Sequence, residues 1–343
     1  MRALETDGPA TAGEAPLVGL ERVRAAAATL AGVAIRTPLV PFGPPEHRRF
    51  LKAESLQPIG AFKIRGAYVA VASLTPEERA RGVITYSSGN HAQGVARAAR
   101  LLGAPAVVVM PSDAPEIKRA RVAADGAEIV VVGTASDERQ AVAERIAAER
   151  GLAIIPPFDD DRVIAGQGTV GLEIAEALPD VAAVLVPIGG GGLASGVAVA
   201  IRALVPDARV IGVEPELGAD ARESLAAGRI VTWSADDVSR TIADGTRTRA
   251  LGRRTFAHLA RLLDSIVTVS EAEIAAGVRL AAEESRLVVE PSGALSVATL
   301  AFHAGELGLE ALGGRPVVAV VSGGNVDPER YLEYLHSPVP LLG

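Results

Sequence analysis

Short runs of β-branched and other apolar residues recur along the chain at 83–86, 106–110, 129–132, 181–188, 210–213, 266–269 and 317–321. Between them lie Ala-rich stretches with helical spacing, such as 91–102, 137–150, 168–177 and 271–285. The runs are apolar on consecutive positions rather than on alternate ones, which suits strands buried on both faces of a parallel sheet. Alternation of such strands with helices predicts a layered α/β fold with right-handed crossovers. Two proline-containing stretches, 73–76 and 156–161, bracket a block with three of these strands. The expected organisation is a flexible tail over 1–16, a large domain from 17–73 and 159–337, and a small inserted domain over 74–158.

At 343 residues the chain can bury a core in each of two domains. Its 34 basic and 41 acidic residues give a net charge of −7, and no basic run occurs. Nucleic acid and anionic membrane are therefore not expected partners. The absence of cysteine excludes disulfides, zinc–thiolate sites, iron–sulfur clusters and a cysteine nucleophile. With no apolar h-region at the N-terminus and no run of about 20 apolar residues, a cytoplasmic enzyme is expected.

Four segments follow or precede these strands in unusual chemistry. Gly189, Gly190, Gly191, Gly192 and Leu193 follow the 181–188 run and open a helix. Glycines there let backbone N–H groups approach an anion, and the helix dipole favours negative charge at that spot. Gly189, Gly191 and Ala194 also fit the dinucleotide pattern G-x-G-x-x-A, with Glu214 near the place of a ribose-binding acid. That oxidoreductase reading is weakened because half the chain precedes the glycines, whereas the fingerprint normally opens its domain. Ser87, Ser88, Gly89, Asn90 and His91 lie between the 83–86 run and a helix, where hydroxyls, an amide and free N–H groups make a carboxylate cradle. In Phe62-Lys63-Ile64-Arg65-Gly66-Ala67 a lysine enters a helix among apolar neighbours. A desolvated lysine loses pKa and becomes a nucleophilic amine able to form a Schiff base, although most lysines are simply exposed. Ser322-Gly323-Gly324-Asn325 ends the 317–321 run.

Together with Ile164-Ala165-Gly166-Gln167-Gly168-Thr169, these segments resemble fold-type II pyridoxal-phosphate enzymes of the threonine/serine dehydratase and serine racemase group, over residues 20–334. The resemblance implies a tryptophan synthase β-like α/β fold with two open, twisted, mostly parallel sheets flanked by helices. It implies that Lys63 carries pyridoxal 5'-phosphate, that Phe62 packs near its ring and that Asn90 bonds its phenolic oxygen. Gly189 to Gly192 with Leu193 would take the phosphate, and Ser322 the pyridine nitrogen. Ser87, Ser88, Asn90 and His91 would take the substrate carboxylate. Glu214, the Gly218 carbonyl and Asp220 match the group's divalent-cation site, whose oxygen ligands suit Mg2+ or Ca2+.

The expected activity is dehydration and deamination of a β-hydroxy amino acid, L-threonine or L-serine, to the 2-oxo acid and ammonia. The alternatives are racemisation, with Ser88 as the opposite-face proton donor, and a dehydratase for a bulkier 3-hydroxy amino acid. A homodimer or higher homo-oligomer is expected. The chain departs from the group where Ile59, Gly60 and Ala61 replace a hydroxyl-bearing pattern before the lysine. Phe158 stands where some serine racemases carry Asn, and an apolar ring there favours a substrate with a methyl or larger β-substituent.

Overall fold

The structure, a computed structural model, describes residues 16–340 other than Ser88, Asp113, Pro115, Thr134 and Ala135. The tail expected over 1–16 therefore lies, apart from Pro16, outside the described residues, and so does Ser88.

Ten strands make two sheets. They are β1 (Leu39–Pro41), β2 (Arg49–Ala53), β3 (Val83–Tyr86), β4 (Ala106–Pro111), β5 (Glu128–Val132), β6 (Ala153–Ile154), β7 (Ala183–Pro187), β8 (Arg209–Pro215), β9 (Ser265–Val269) and β10 (Val317–Val321). The larger sheet runs β1-β2-β10-β7-β8-β9, with only the β1–β2 pair antiparallel, and the smaller runs β5-β4-β3-β6, all parallel. Both faces of the central strands are covered, as consecutive apolar residues require: β7 and β10 are buried at every position. One core cluster packs the Glu271–Ser285 and Pro291–Phe302 helices on one face of the larger sheet. Another packs the Asp161–Ala177 and Gly192–Leu204 helices on the other face.

Every strand of the smaller sheet lies within 74–158. The block contains a fourth strand that periodicity does not reveal, because β6 has only two residues and both are half-buried. β1 and β2 are likewise invisible in the apolar pattern, since Arg49 and Lys52 interrupt the second of them. Lys52 is nevertheless 1% exposed. Burial pulls its ammonium toward the neutral form, and Glu54 and Glu173 oppose that pull. Its Nζ donates to Glu173 at 2.5 Å and to the Thr37 carbonyl at 2.7 Å.

The helix expected over 168–177 begins earlier, at Asp161, capped by the Asp160 side chain on the Arg162 N–H at 2.7 Å. Three glycines in its middle hide it from a propensity reading. They serve close packing: a Cβ at Gly171 would lie 2.7 Å from the Val197 carbonyl, and one at Gly166 would lie 2.7 Å from the Arg65 carbonyl. The helix thus seats itself against both the Gly192–Leu204 and the Lys63–Ala72 helices.

Candidate active site

A cavity of about 430 Å³ opens where β3, β7 and β10 end, with the loops after each strand forming its walls. That is where open α/β sheets form their sites. The structure brings Phe62, Lys63, Ser87, Asn90, His91, all four glycines from Gly189 to Gly192, Leu193 and Ser322 onto its lining.

Lys63 is the first residue of its helix. Its Nζ donates to the Pro157 carbonyl at 2.7 Å and sits 5.1 Å from the centre of the Phe62 ring. Burial lowers its pKa to about 8, so a large share of this amine is unprotonated at mildly alkaline pH. The entry to the helix is pinned to the end of β10: the Phe62 N–H donates to the Ser322 carbonyl at 3.0 Å, and Ala61 bridges Gly323. Ser322 is 5% exposed, and its hydroxyl donates to the Ser292 carbonyl at 3.4 Å.

Gly191 has φ +89° and forms the N-cap of the Gly192–Leu204 helix. Its left-handed backbone turns β7 into the helix and presents the helix's first free N–H groups to the cavity. At Gly190 a Cβ would overlap the Phe158 ring, which lies across the loop. At both positions a side chain would be strained or would clash, which accounts for glycine there.

On the opposite wall, Ser87 Oγ accepts the Gly89 N–H at 3.3 Å. His91 is buried with Nε2 donating to the Ile155 carbonyl at 3.0 Å. Burial, helped by the charge of Lys63, lowers its pKa to about 3, so the ring is neutral. A neutral ring that donates through Nε2 has Nδ1 as acceptor, and Nδ1 is buried with no partner among the described residues.

Three features of the site escape sequence reasoning. Glu290 lines the cavity at 3% exposure and accepts from Asn90 Nδ2 at 2.6 Å. Its only sequence signal is an acid directly before Pro291, an ordinary helix-entry pattern. Four cations, Lys118, Arg139, Arg247 and Arg249, also reach the cavity from segments with no strand signal. Behind Lys63, Arg65 is 1% exposed and forks onto Glu54 at 2.7 and 2.9 Å and onto Glu173 at 2.6 and 3.0 Å.

The residues expected to hold a cation lie at the end of β8. Glu214 is fully buried and accepts the N–H groups of Ala221 at 3.0 Å and Arg222 at 2.8 Å, capping the Asp220–Ala227 helix. Asp220 is 1% exposed, and both of its carboxylate oxygens are buried without partners among the described residues. Burial raises both acids, Asp220 to about 7, and Asp220 raises Glu214 further. Two buried acids side by side, with both Asp220 oxygens left without a partner among the described residues, fit a hard cation. No group of three His, Cys, Asp or Glu suited to a metal occurs among the described residues, so backbone and water oxygens would complete such a site.

Residues 30–323 match the family model for pyridoxal-phosphate dependent enzymes. The chain belongs to the pyridoxal-phosphate dependent enzyme family. Its cofactor is pyridoxal phosphate. Within this family it is 45% identical over 282 residues to an L-threo-3-hydroxyaspartate ammonia-lyase of Saccharomyces cerevisiae, covering 82% of this chain and 84% of that one. It is 43% identical to a serine racemase of Schizosaccharomyces pombe, covering 83% and 86% of the two chains. To an L-threonine ammonia-lyase of Thermotoga maritima it is 44% identical, covering 81% and 67%. Among solved structures, the threonine deaminase of T.th. superposes with a TM-score of 0.83 at 44% identity, covering 90% of this chain and 99% of that one. Maize serine racemase gives a TM-score of 0.86 at 35% identity, covering 94% and 98%. These relatives carry the fold-type II pattern of two mostly parallel sheets that the sequence resemblance implied. The dinucleotide reading of Gly189, Gly191 and Glu214 is thereby overturned: the glycines belong to a pyridoxal-phosphate enzyme, and Glu214 caps a helix.

Proposed function

We propose that this enzyme removes ammonia from a β-hydroxy amino acid, L-threonine or L-serine, giving the 2-oxo acid. The observation that carries the reading is the buried Lys63 amine, with its pKa near 8, in one cavity with the glycine turn, Asn90 and Ser322. Bound at this site, pyridoxal phosphate supplies an electron sink for the α-carbon. Lys63 would hold it covalently through Nζ, with Gly189 to Gly192 and Leu193 on its phosphate, Phe62 beside the ring, Asn90 at the phenolic oxygen and Ser322 at the ring nitrogen.

Released when the substrate amine takes its place, Lys63 Nζ would then be the base that takes the α-proton, a role suited to an amine that burial has made less basic. The electron pair left by that proton expels the β-hydroxyl, which leaves as water once protonated. Hydrolysis of the resulting enamine returns the water and releases ammonia. Ser87, Asn90 and His91 would receive the substrate carboxylate. The unpartnered Nδ1 of His91 is an acceptor, so the backbone N–H of His91, in the first turn of its helix, would be the group that meets the carboxylate. Ser88, assigned to the same loop and to proton donation in a racemase, lies outside the described residues.

The reading treats 74–158 as a small domain that closes on substrate. Two cross-block contacts support this: Lys118 Nζ meets Asp244 at 2.7 Å, and Arg121 donates to Asn325. It also takes Glu214, the Gly218 carbonyl and Asp220 as the ligands of Mg2+ or Ca2+, supported by the orphaned Asp220 oxygens. No helix among the described residues is long and apolar enough to cross a membrane. A cytoplasmic homo-oligomer acting on a small molecule completes the proposal.

A second substrate reading rests on the cations at the cavity. Lys118, Arg139, Arg247 and Arg249 outnumber the acids Asp244 and Glu290 there, which favours a substrate with a second carboxylate. Two relatives are named for 3-hydroxyaspartate. Phe158, lying over the glycine turn, favours the methyl group of threonine instead. The deciding experiment follows ammonia and 2-oxo acid release from L-threonine, L-serine and L-threo-3-hydroxyaspartate, with chiral analysis of residual substrate. Ammonia from none of them would refute the lyase, and D-isomer formation without ammonia would make the enzyme a racemase.

A further inference from the structure

Glu290 is a buried acid on the wall of the cavity for which the proposed chemistry has no use. It ends the segment before the Pro291–Phe302 helix, and its backbone N–H donates to the Gly323 carbonyl at 3.1 Å. A Cβ at Gly323 would overlap Glu290 Oε1, so the loop after β10 makes room for this carboxylate by carrying glycine there.

The carboxylate terminates a directional ladder of amides. Asn325 Nδ2 donates to the Ile59 carbonyl at 2.8 Å and to Asn90 Oδ1 at 2.8 Å. Asn90 Nδ2 then donates to Glu290 Oε1 at 2.6 Å. An amide can usually be turned over at little cost. Here a turned Asn90 would set its oxygen against a carboxylate and its NH2 against the NH2 of Asn325. Both ends therefore fix the same orientation. In that orientation Oδ1 is occupied and one N–H is spent on Glu290, leaving one N–H on a residue that lines the cavity.

We propose that Glu290 is a positioning residue that turns the Asn90 side chain so that its remaining N–H faces the phenolic oxygen of the bound cofactor. The assignment rests on the reading of the cavity as the cofactor site. It gives Glu290 a reason to be an acid. A carboxylate can only accept, whereas a protonated acid carries a donor of its own and lets Asn90 turn. Burial and the charge of Asp244 raise Glu290 to about 7, against Lys118, Asn90 and the Asn325 N–H, which favour the carboxylate. Lys118 pairs with Asp244 and Arg121 donates to Asn325, so these charged groups face the ladder; Lys63, Arg139, Arg247 and Arg249 line the same cavity. The lock on Asn90 is thus complete above neutral pH and loosens as pH falls through about 7.

The test is a visible-absorbance titration of the cofactor band in the holoenzyme between about pH 5.5 and 9, a range that brackets the Glu290 transition. Wild type should show a spectral step with a midpoint near 7. In Glu290→Gln, whose amide accepts or donates equally well, the step should vanish and turnover should fall about tenfold, the worth of one hydrogen bond to the cofactor. Asn90→Ala should also lack the step although Glu290 is intact, which keeps the test open if Glu290→Gln folds poorly. The Glu290→Gln/Asn90→Ala double variant should be no slower than Asn90→Ala alone. A step that persists in Asn90→Ala, or losses that multiply in the double variant, would overturn the positioning role. A wild-type chain with no cofactor band would overturn both this assignment and the reading beneath it. A normal titration without ammonia release would remove only the lyase.

Discussion

Replacing Arg65 by Met tests how much of the site's rigidity is electrostatic. Arg65 binds Glu54 and Glu173 and also donates to Thr169 Oγ1 at 3.0 Å and the Ile35 carbonyl at 3.1 Å. Methionine conserves much of the volume, so the cost comes mainly from what is stranded. Glu54 is 0% exposed and keeps only Thr37 at 2.6 Å, Gln57 at 3.2 Å and the more distant Lys52 charge. Removing one partner of a buried ion pair costs about 3–5 kcal/mol. With about 2.1 cal/mol/K of unfolding entropy per residue over 343 residues, that lowers Tm by about 4–7 °C.

The pH dependence gives the sharper check. Burial pushes Glu54 up, but the Arg65 guanidinium and Lys52 overcome it and hold the carboxyl below its usual 4.5. A depressed acid contributes stability that is present above its unfolded pKa and lost as pH falls through its folded one. Without Arg65, burial wins, Glu54 rises above 4.5, and the variant's penalty fades on acidification as the acid takes up a proton. The gap in Tm between wild type and Arg65→Met should therefore be widest near pH 7 and narrow toward pH 4.5. Adding Glu54→Gln should recover at least half the loss at neutral pH, because the stranded charge is gone. Differential scanning calorimetry across this range decides it. A loss under about 1 kcal/mol, or a double variant no better than the single one, would refute the argument that a stranded buried charge sets the cost.

Lys63→Ala should abolish ammonia release by more than the roughly 10²–10⁴-fold expected of an acid–base group alone, since holding the cofactor and moving the proton fall together. Gly190→Ala should weaken cofactor binding by driving a Cβ into Phe158, and Phe158→Ala in the same chain should restore it; fluorescence titration with the cofactor reads both. Ser322→Asp should set a carboxylate at the ring nitrogen, protonate it and raise transamination relative to elimination, measured as the amine form of the cofactor accumulated per 2-oxo acid released. If Glu214, Gly218 and Asp220 bind a cation, chelation should cost about 2.7 kcal/mol relative to a hundredfold excess over Kd, seen as a lower Tm in EDTA. Asp220→Asn should remove most of that response, and a wild type indifferent to EDTA, Mg2+ and Ca2+ would leave Asp220 an unneutralised buried acid.

The parallel core was legible because its strands are buried on both faces, so their apolar runs stand out without any partner. β1 and β2 were not, and the reason is specific. Lys52 in β2 reads as a surface residue until Glu173, 121 positions away, neutralises it. The helix starting at Asp161 was half hidden for a related reason: Gly166 and Gly171 lower helix propensity, and only the backbones they approach explain them. In both cases the residue that looks wrong locally is right for a contact that a single sequence does not display.

The site divides along the same line. Lys63, the glycine turn, Asn90 and Ser322 occupy short contiguous motifs; the last three follow β7, β3 and β10, and Lys63 opens a helix pinned to the end of β10. Glu290, Arg65 and the cations at the cavity act through partners from other segments. Glu290 means nothing until Asn90, 200 positions earlier, donates to it. What a local motif records is the group proposed to touch a ligand. What holds that group in one orientation is distributed: Asn325 fixes one end of the Asn90 amide and Glu290 the other. The direction of a hydrogen bond in this cavity is therefore set by residues on three separate loops, and it becomes readable only when the fold has brought those loops together.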